Sequence, residues 1–280
     1  MNHLHRELAP ISEAAWQEID AEARRALRNF LTARKVVDFT GPLGWDHSAL
    51  GLGRVASTDE GPAEGVERQI RLVQPFVELR TPFVLDRAEI DAVDRGAPDA
   101  DWDPVVGAAR RAALAEDRLV FAGDPPSGVR GIVETSTHDA VEITTDYERY
   151  PTFVAKAVDT LRRAGVDGPY AILLGPRCWQ GVVESTQHGG YPVLEQLRLI
   201  SEGPVLWAPA VDGALVVSLR GDDFELMVGQ DLSIGYRTHD ASTVTLHLEE
   251  SLTFRAAGPE AAVALKYASP ARPARKRSQA

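Results

Sequence analysis

Two glycine-rich patterns in the sequence have spacings that could serve nucleotide or phosphate binding. The first, at 51–56, loosely matches the dinucleotide-binding fingerprint, but it follows no clear strand and opens no helix. The second, at 123–128, has the glycine spacing of a phosphate-binding loop. It continues with Val129 and Arg130, where that chemistry needs lysine followed by serine or threonine. We therefore expect neither stretch to bind a nucleotide.

Three alternating aspartates, Asp99, Asp101 and Asp103, resemble the start of a calcium-binding loop. Such a loop needs glycine where Pro104 stands and glutamate where Arg110 stands, so the coordination could not close. The aspartates are instead expected in a loop. Asp103 is expected to cap a long helix that has Pro104 at its first position.

Histidine, serine and cysteine residues form no recognisable catalytic or metal-binding motif. The seven histidines lack metal-site spacing, Ser233 has no nucleophile elbow around it, and Cys178 is the only cysteine. A single cysteine excludes an intrachain disulfide and a cysteine-rich metal site, and Cys178 is expected in the core. We therefore expect no catalytic residue, no bound metal and no enzyme activity.

The composition is that of a globular chain with an acidic body and a basic end. The 280 residues carry 30 basic and 41 acidic side chains, for a net charge of −11, and 44% of them are hydrophobic. No stretch approaches the roughly 18 apolar residues of a membrane span, and 1–10 is too polar for a signal peptide. We expect a cytoplasmic protein that binds no membrane.

The last segment, 269–280, has a charge opposite to that of the rest of the chain. It contains Arg272, Arg275, Lys276 and Arg277 and no acidic residue. The remaining body is therefore more acidic than the whole chain, which argues against nucleic-acid binding. Two interpretations of the segment stay open: a solvated, disordered extension or a contact with an anionic partner.

The elements that would organise this chain centre on one long predicted strand. Apolar residues occupy every second position from Val244 to Phe254, with Glu250 as the exception. Before it, the pattern predicts an amphipathic helix of about 20 residues after Ser12 and a projecting β-arm with a kink near Gln74. Helices at 86–95 and 103–122, an inserted α/β lobe at 131–229 and a last strand at 262–267 complete the prediction.

Short motifs that resemble one known family run in order from about residue 8 to residue 267. They are Leu-Ala-Pro at 8–10 with 16–20, then 33–38 with 41–45, 78–80, 127–131, 167–170, 188–194 and Gly-Gln-Asp-Leu-Ser-Ile-Gly-Tyr at 229–236. Each motif alone is modest. Together they make the chain similar to the family 1 encapsulins, also called linocin-type proteins, which form bacterial nanocompartments.

The resemblance implies an α+β chain with the Hong Kong 97-type fold of tailed-phage major capsid proteins. The N-terminal helices (1–45) would belong to the peripheral domain, followed by an extended arm (46–75) and the rest of that domain with its spine helix (76–129). An axial domain (130–228), peripheral strands (229–267) and a disordered basic tail (268–280) would follow.

The resemblance also implies a function, which is enclosing a cargo enzyme. About 60 copies would close into an icosahedral shell, and the cargo would be a dye-decolourising peroxidase or a ferritin-like iron-storage protein held by its C-terminal peptide. Carried over from the family, the peptide-binding residues would be Phe30, Arg34, Asp38, Ile234 and Tyr236. The alternative is that Phe30 and Ile234 are ordinary core residues and that Arg34 pairs with Asp38.

The loop around His188 corresponds to the family's fivefold pore loop. Gln187, His188, Gly189, Gly190 and Tyr191 would then line an opening for small solutes or ions, although an exposed loop histidine is the other interpretation. Some members hold a flavin against a tryptophan in the helix after the arm. The corresponding segment here, 86–89, has no aromatic residue, so we expect no cofactor.

Two other functions were weighed against a shell. One is a secreted bacteriocin or protease, a label attached to linocin-like proteins, which the absence of a signal peptide and of a catalytic set disfavours. The other is a capsid protein of a defective phage, which the encapsulin-like stretch at 8–38 disfavours. The sequence does not identify the cargo.

Overall fold

The computed structural model of the chain describes residues 3–58, 61–187 and 189–268. His188 and the basic segment from residue 269 onward, which the sequence analysis singled out, lie outside the described residues. The helices are α1 (Glu13–Phe30), α2 (Arg87–Asp94), α3 (Asp103–Phe121), α4 (Ile132–Thr135), α5 (Tyr150–Arg163), α6 (Pro176–Glu184) and α7 (Val193–Ser201).

Twelve strands occur in the described part of the chain. They are β1 (Asp38–Thr40), β2 (Ala49–Thr58), β3 (Arg68–Pro75), β4 (Val77–Asp86), β5 (Val141–Ile143), β6 (Tyr170–Leu174), β7 (Val205–Trp207), β8 (Ala214–Ser218), β9 (Phe224–Val228), β10 (Ser233–His239), β11 (Thr243–Ala256) and β12 (Ala262–Tyr267). They form two five-stranded sheets and one two-stranded arm. The α+β class is therefore confirmed.

The first sheet is built on β11, which confirms the predicted long strand. The first part of β11 is antiparallel to β10 on one side and to β4 on the other, and its end, from Leu252, is antiparallel to β9. Short strand β1 then runs parallel to β9 at the edge of the sheet. A strand of 14 residues can serve three neighbours because β4 pairs along one edge while β10 and β9 share the other.

Helices α1 and α3 cover one face of this sheet. Trp16 and Ile19 of α1 and Val105 of α3 lie in one apolar cluster with Leu246 and Leu248 of β11. The buried face of α3 near α1 consists largely of alanines, at 108, 109, 112 and 113. Small side chains let the two helices and the sheet approach closely, so this layer is thin and tightly packed.

The second sheet forms the core of the inserted lobe. Its order is β5–β12–β8–β6–β7, and β6 and β8 are buried along their whole length. Helices α5 and α7 contribute Val154, Leu161 and Leu197 to the same apolar cluster. Continuous apolar runs, rather than alternating ones, are what a sheet covered on both faces requires.

Two of the predicted strands belong to a different sheet from the one expected. Strand β12, expected among the peripheral strands, pairs with β8 and β5 in the lobe. Strand β9, expected in a lobe that ends at residue 228, pairs with β1 and β11 in the first sheet. The chain therefore crosses from one sheet to the other between β8 and β9 and again between β11 and β12, and local periodicity does not encode these crossings.

The start of α3 also differs from the prediction in detail. The residue preceding the helix is Trp102, and Asp103 is its first helical residue. The capping carboxylate is that of Asp101, which accepts the backbone N–H of Asp103 at 2.9 Å. The aspartates thus stabilise a helix start, as expected, although Asp101 has the role that was assigned to Asp103.

The arm consists of β2 and β3, which pair antiparallel with a register shift between Gly51 and Val55. Almost all of β3 is exposed, including Ile70 and Val73, whose exposed fractions are 53% and 55%. Large apolar side chains that stay exposed on a projecting hairpin indicate an interface with another protein surface.

We expect Ile70→Asp to prevent assembly of the chain into its oligomer. Burying one isoleucine at an interface contributes about 1.5–3 kcal/mol, and a buried aspartate would reverse that gain in every copy. Size-exclusion chromatography should show a shift from a large particle to small species. Thr152→Asp, at an exposed position of α5 outside the arm, is the control. Normal large particles formed by Ile70→Asp would contradict the interface.

Candidate functional site

A groove between α1 and β10 is the strongest candidate site. Its volume is about 400 Å³, and we call it the α1–β10 groove. Its apolar lining includes Leu27, Leu31, Leu232, Ile234 and Leu248, and its polar lining includes Arg24, Arg28, Arg34 and Asp231. Apolar side chains flanked by a few charged groups are typical of a site that binds an extended peptide.

Helix α1 and strand β10 form the two walls of the groove. The Ser12 side chain caps α1 by accepting the Ala15 N–H at 3.1 Å, and Leu27 and Leu31 lie one helical turn apart along its end. On the other wall, Ile234 of β10 stands opposite Leu248 of β11. Because β10 is paired along its length, the groove is formed before any partner arrives.

Arg34 connects one end of the groove to the protein interior through a network of carboxylates. Its Nε and Nη2 donate to Glu116 at 2.9 and 2.6 Å. Nη2 also donates to Asp231 at 2.9 Å and to Glu250 at 2.6 Å. Glu116 and Glu250 are buried, whereas Asp231 is partly exposed in the groove. The guanidinium is therefore fixed in one position by partners on three different elements.

Two buried acids in and beside this network, Glu250 and Asp117, have raised pKa values. Burial, followed by repulsion from Glu116 and a hydrogen bond with that residue, raises the pKa of Glu250 well above its usual range. Asp117, next to Glu116 on α3, is also buried, and burial raises its pKa to about 7. The interior next to the groove thus retains protons that exposed carboxyl groups would have lost.

Asp117 fixes the short segment that leads from α1 to β1. Its carboxyl group accepts the backbone N–H of Ala33 at 2.9 Å and that of Thr32 at 3.0 and 3.1 Å. These two N–H groups begin a single 3-10 turn at Ala33–Lys35 and would otherwise be buried without partners. The turn positions Arg34, so Asp117 and Glu116 support the same site from adjacent positions on α3.

The five residues predicted to bind a cargo peptide do not all line this groove. Arg34 and Ile234 line it together. The ring of Phe30 tilts against Trp207, with 5.6 Å between centroids. Asp38 lines a separate cavity of about 240 Å³, and Tyr236 lines a third cavity.

The alternative pairing of Arg34 with Asp38 is wrong. Arg34 binds Glu116, Asp231 and Glu250 instead. Asp38 accepts the backbone N–H of Asp222 at 2.6 Å and so holds the turn between β8 and β9. The two residues lie four positions apart in sequence, but Arg34 belongs to the 3-10 turn and Asp38 begins β1.

The loop predicted to line a pore has backbone hydrogen bonds between its own residues. Gln187 donates its backbone N–H to Tyr191 O at 3.0 Å, and Gly190 donates to Gln187 O at 2.9 Å. Gly189 and Gly190 have φ angles of 98° and 80°, which favour glycine at both positions. The Gln187 side chain donates to Glu148 O and accepts from Gln196 Nε2, which ties the base of the loop to the lobe.

Sequence reasoning missed the acids that hold Arg34, although each left a signal. Glu250 interrupts the apolar alternation of β11, and Glu116 follows Ala112 by one turn on the apolar face of α3. A charged residue at an apolar-face position predicts a buried ion pair, since an unpaired charge is not tolerated there. Among the described residues, no group of three or more histidine, cysteine or acidic side chains could hold a metal ion.

Comparison with known proteins gives consistent matches along the chain. A family model described as "Encapsulating protein for peroxidase" matches residues 1–253. The type 1 encapsulin shell protein of Rhodospirillum rubrum is 53% identical over 276 residues, covering 97% of this chain and 99% of that protein. That of Mycobacterium tuberculosis is 43% identical over 267 residues, covering 95% of this chain and 100% of that protein.

Solved structures share the fold at much lower identity. A virus-like particle from Pyrococcus furiosus aligns with a TM-score of 0.66 at 15% identity, covering 90% of this chain and 99% of that one. The Gordonia phage Cozz structure aligns with a TM-score of 0.54 at 13% identity, covering 86% and 87%. These alignments confirm the predicted capsid fold.

We expect Arg34→Met to lower the free energy of unfolding by about 3–5 kcal/mol, because it leaves Glu116 and Glu250 buried without their cation. The denaturation midpoint, read by tryptophan fluorescence, measures the loss. Arg130→Met removes an exposed pair with Glu134 and should cost less than about 1 kcal/mol. Adding Glu250→Gln to Arg34→Met should recover part of the loss. Equal effects of the two arginine variants would contradict the network.

The raised pKa of Asp117 predicts an unusual pH dependence. The folded chain holds this proton more tightly than the unfolded chain, so the free energy of unfolding falls as pH rises from about 4 to about 7 and levels off above that. A shift from 3.8 to about 7 corresponds to at most about 4 kcal/mol. Burial of Glu250 adds a dependence of the same sign.

Asp117→Asn should flatten this dependence, because the amide does not titrate. Denaturation midpoints measured between pH 4.5 and 7.5 for both chains give the comparison. Asp139→Asn, at an exposed site, should leave the profile unchanged. A variant profile parallel to that of the natural chain would show that Asp117 does not hold the proton.

Proposed function

The chain belongs to the type 1 encapsulin shell proteins, and we propose that it encloses a cargo enzyme that it captures through the α1–β10 groove. Proteins of this family form capsid-like compartments, a structural role and not an enzymatic one. The proposal for this chain concerns what it encloses and which surface takes hold of it.

The assembly we propose is an icosahedral shell of about 60 copies in the cytoplasm, formed by repeating a few interfaces. The capsid fold and the exposed apolar arm support it. Ile70 and Val73 need a partner surface, and a neighbouring copy provides that surface in every position of a closed shell. No helix in the described ranges is both long and apolar enough to cross a membrane.

The observation that carries the cargo proposal is the rigid groove. Arg34 is fixed by three carboxylates, and Leu27, Leu31 and Ile234 offer an apolar surface beside it. A preformed site loses little conformational entropy when it binds, so a short peptide with a few aliphatic side chains can bind there. Such a peptide at the C-terminus of an enzyme would hold that enzyme to the shell.

The cargo we propose is a dye-decolourising peroxidase or a ferritin-like iron-storage protein. The description of the matching family, an encapsulating protein for peroxidase, favours the first. Arg34 and Ile234 are the proposed contacts that the groove supports directly. Phe30, Asp38 and Tyr236 remain predictions, because their side chains lie outside the groove lining.

We expect Leu27→Asp to abolish cargo loading without preventing shell formation. The change places a carboxylate where an aliphatic side chain of the peptide would bind, while the network around Arg34 is untouched. The chain is co-produced with a peroxidase cargo, and the shells are purified and assayed for haem absorbance per shell protein. Leu31→Asp tests the next turn, and Ala21→Asp, on the other side of α1, is the matched control.

Three results would separate the parts of this proposal. Empty shells from Leu27→Asp and full shells from Ala21→Asp would support capture through the groove. Full loading in both groove variants would overturn the groove as the docking site but leave the shell intact. The absence of shells from the natural chain would overturn the assembly itself.

We also propose that the loop at 187–191 lines the fivefold opening of the shell. Tyr191, with an exposed fraction of 48%, lies on a loop whose base is fixed by Gln187. Five copies of Tyr191→Asp would place a ring of carboxylates around the opening, which favours cations over anions. Tyr191→Asn is the neutral control of nearly equal size.

The measurement is the rate at which ions quench a fluorescent protein enclosed in the shell. In Tyr191→Asp, we expect iodide to quench several-fold more slowly and thallium(I) to quench faster, with neither change in Tyr191→Asn. Unchanged rates for both ions would mean that they enter elsewhere.

A further inference from the structure

Three phenols and the only thiol of the chain meet in one hydrogen-bonded cluster inside the lobe. It consists of Tyr147, Tyr150, Cys178 and Tyr267, and we call it the Tyr–Cys cluster. Tyr150 Oη lies 2.9 Å from Cys178 Sγ and 3.2 Å from Tyr267 Oη. Tyr267 Oη lies 3.2 Å from Sγ and 3.4 Å from Tyr147 Oη. The four groups come from the segment before α5, from α5, from α6 and from the end of β12.

The cluster runs from the surface of the lobe to its interior. Tyr150 and Cys178 are completely buried, whereas Tyr147 and Tyr267 are half-buried. The two outer phenols are therefore within reach of a reagent in solution, and the thiol is not. Each hydroxyl is in hydrogen-bonding distance of the next group, so no gap interrupts the path from Tyr147 to the sulfur.

The direction of the hydrogen bonds leaves the thiol hydrogen available to Tyr267. Tyr150 donates to Cys178 Sγ, so the sulfur accepts on that side. Its own hydrogen can then point to the Tyr267 oxygen, which is the other partner within reach. The S–H hydrogen can therefore lie between the Cys178 sulfur and the Tyr267 oxygen, which are 3.2 Å apart.

Packing holds the rings in place. A Cβ at Gly181 would lie 2.2 Å from the Tyr147 ring, so glycine is what lets that ring lie against α6. The Arg177 guanidinium stands 4.4 Å from the centre of the Tyr267 ring. Burial raises the pKa of Tyr150 and of Tyr267 above the usual range, so both phenols stay neutral and keep their hydrogens at physiological pH.

We propose that the Tyr–Cys cluster is a one-electron relay that carries oxidising equivalents from the half-buried phenols to the Cys178 thiol. A one-electron oxidant takes an electron from Tyr267, whose phenolic proton leaves to solvent, and a phenoxyl radical results. That oxygen then takes the hydrogen atom of Cys178: the S–H bond breaks, an O–H bond forms on Tyr267, and a thiyl radical remains. A radical formed on Tyr147 reaches Tyr267 by a second transfer of the same kind: the Tyr147 oxygen takes the hydroxyl hydrogen atom of Tyr267, and Tyr267 becomes the phenoxyl radical.

The relay gives the buried thiol a reactivity that its position would otherwise prevent. A buried, neutral thiol is inert to reagents that must reach it as a thiolate. Oxidation through the phenols needs no contact between the oxidant and the sulfur. This inference does not depend on the cargo, although a peroxidase inside a shell would be a source of one-electron oxidants.

The test uses the assembled protein and tris(bipyridine)ruthenium(III), generated by light with persulfate as the electron acceptor. In air the thiyl radical adds dioxygen, so peptide mass spectrometry detects oxygen atoms gained at Cys178. We expect this gain in the natural chain and a several-fold loss of it in Tyr267→Phe, which keeps the ring and removes the hydroxyl. Tyr170→Phe, which removes a buried hydroxyl of the same lobe that donates to Val166 O outside the cluster, is the matched control.

Two further measurements separate the relay from a merely structural hydrogen-bond ring. Iodoacetamide labelling of Cys178 should stay low in every variant, which shows that the lobe has not opened. Cys178→Ser removes the thiol that gives up its hydrogen atom, and the serine O–H bond is too strong to replace it. The tyrosyl radical signal in frozen-sample electron paramagnetic resonance should therefore rise several-fold.

Three outcomes would overturn the relay. They are no oxygen gain at Cys178 in the natural chain, an equal gain in Tyr267→Phe with low iodoacetamide labelling, and an unchanged tyrosyl signal in Cys178→Ser. The first means that oxidation stops at the surface, the second that the oxidant reaches sulfur by another route, and the third that the thiol is not the acceptor.

Discussion

The charge network around Arg34 is the interaction on which the candidate site depends. Glu116 comes from α3, Glu250 from β11 and Asp231 from the turn before β10, so one guanidinium joins the helix layer to the sheet. Removing two carboxylates from water is costly, and the contacts with Arg34 recover that cost only if all partners stay in place. The network therefore contributes less to net stability than to geometry. It fixes the end of α1 relative to β10, which is the relation that keeps the groove open.

Strand β11 gives this network its position. Its apolar residues bind the sheet to α1 and α3, and Glu250 is the single charge on that same face. A carboxylate there would be expelled unless a cation met it, so the 3-10 turn that carries Arg34 must approach the sheet at this point. Asp117 holds the turn by its backbone N–H groups. Glu250, the acidic residue on the apolar face of β11, thus determines where the 3-10 turn with Arg34 packs on the sheet.

Much of this architecture could be predicted from sequence, because periodicity reports which face of an element is buried. The long strand, the first helix, the arm and the buried strand at 170–174 all follow from it. The assignment of β9 and β12 to their sheets did not, since both are short apolar strands that fit either sheet by pattern alone. In the candidate site, the resemblance named Arg34 and Ile234, which both line the groove. It could not name Glu116 or Asp231 as the partners of Arg34, because ion pairs between distant segments depend on the relative placement of whole elements. The alternative pairing of Arg34 with Asp38 was wrong for the same reason: the two residues are close in sequence but bind different partners.

The rigid surface of the α1–β10 groove and the exposed apolar surface of the arm lie on different elements of the molecule. Around the groove, three carboxylates hold Arg34 and β10 is paired with β11, so a ligand meets a preformed site. The arm has the opposite character: two strands pair only with each other and leave Ile70 and Val73 exposed. Such a hairpin gains most of its stabilisation from a neighbour, because an isolated two-stranded pair is marginal in water. Assembly can then complete the arm without disturbing the groove, since no residue of β2 or β3 lines it. A shell protein needs this independence, because the binding of cargo and the closing of the shell must be able to occur together.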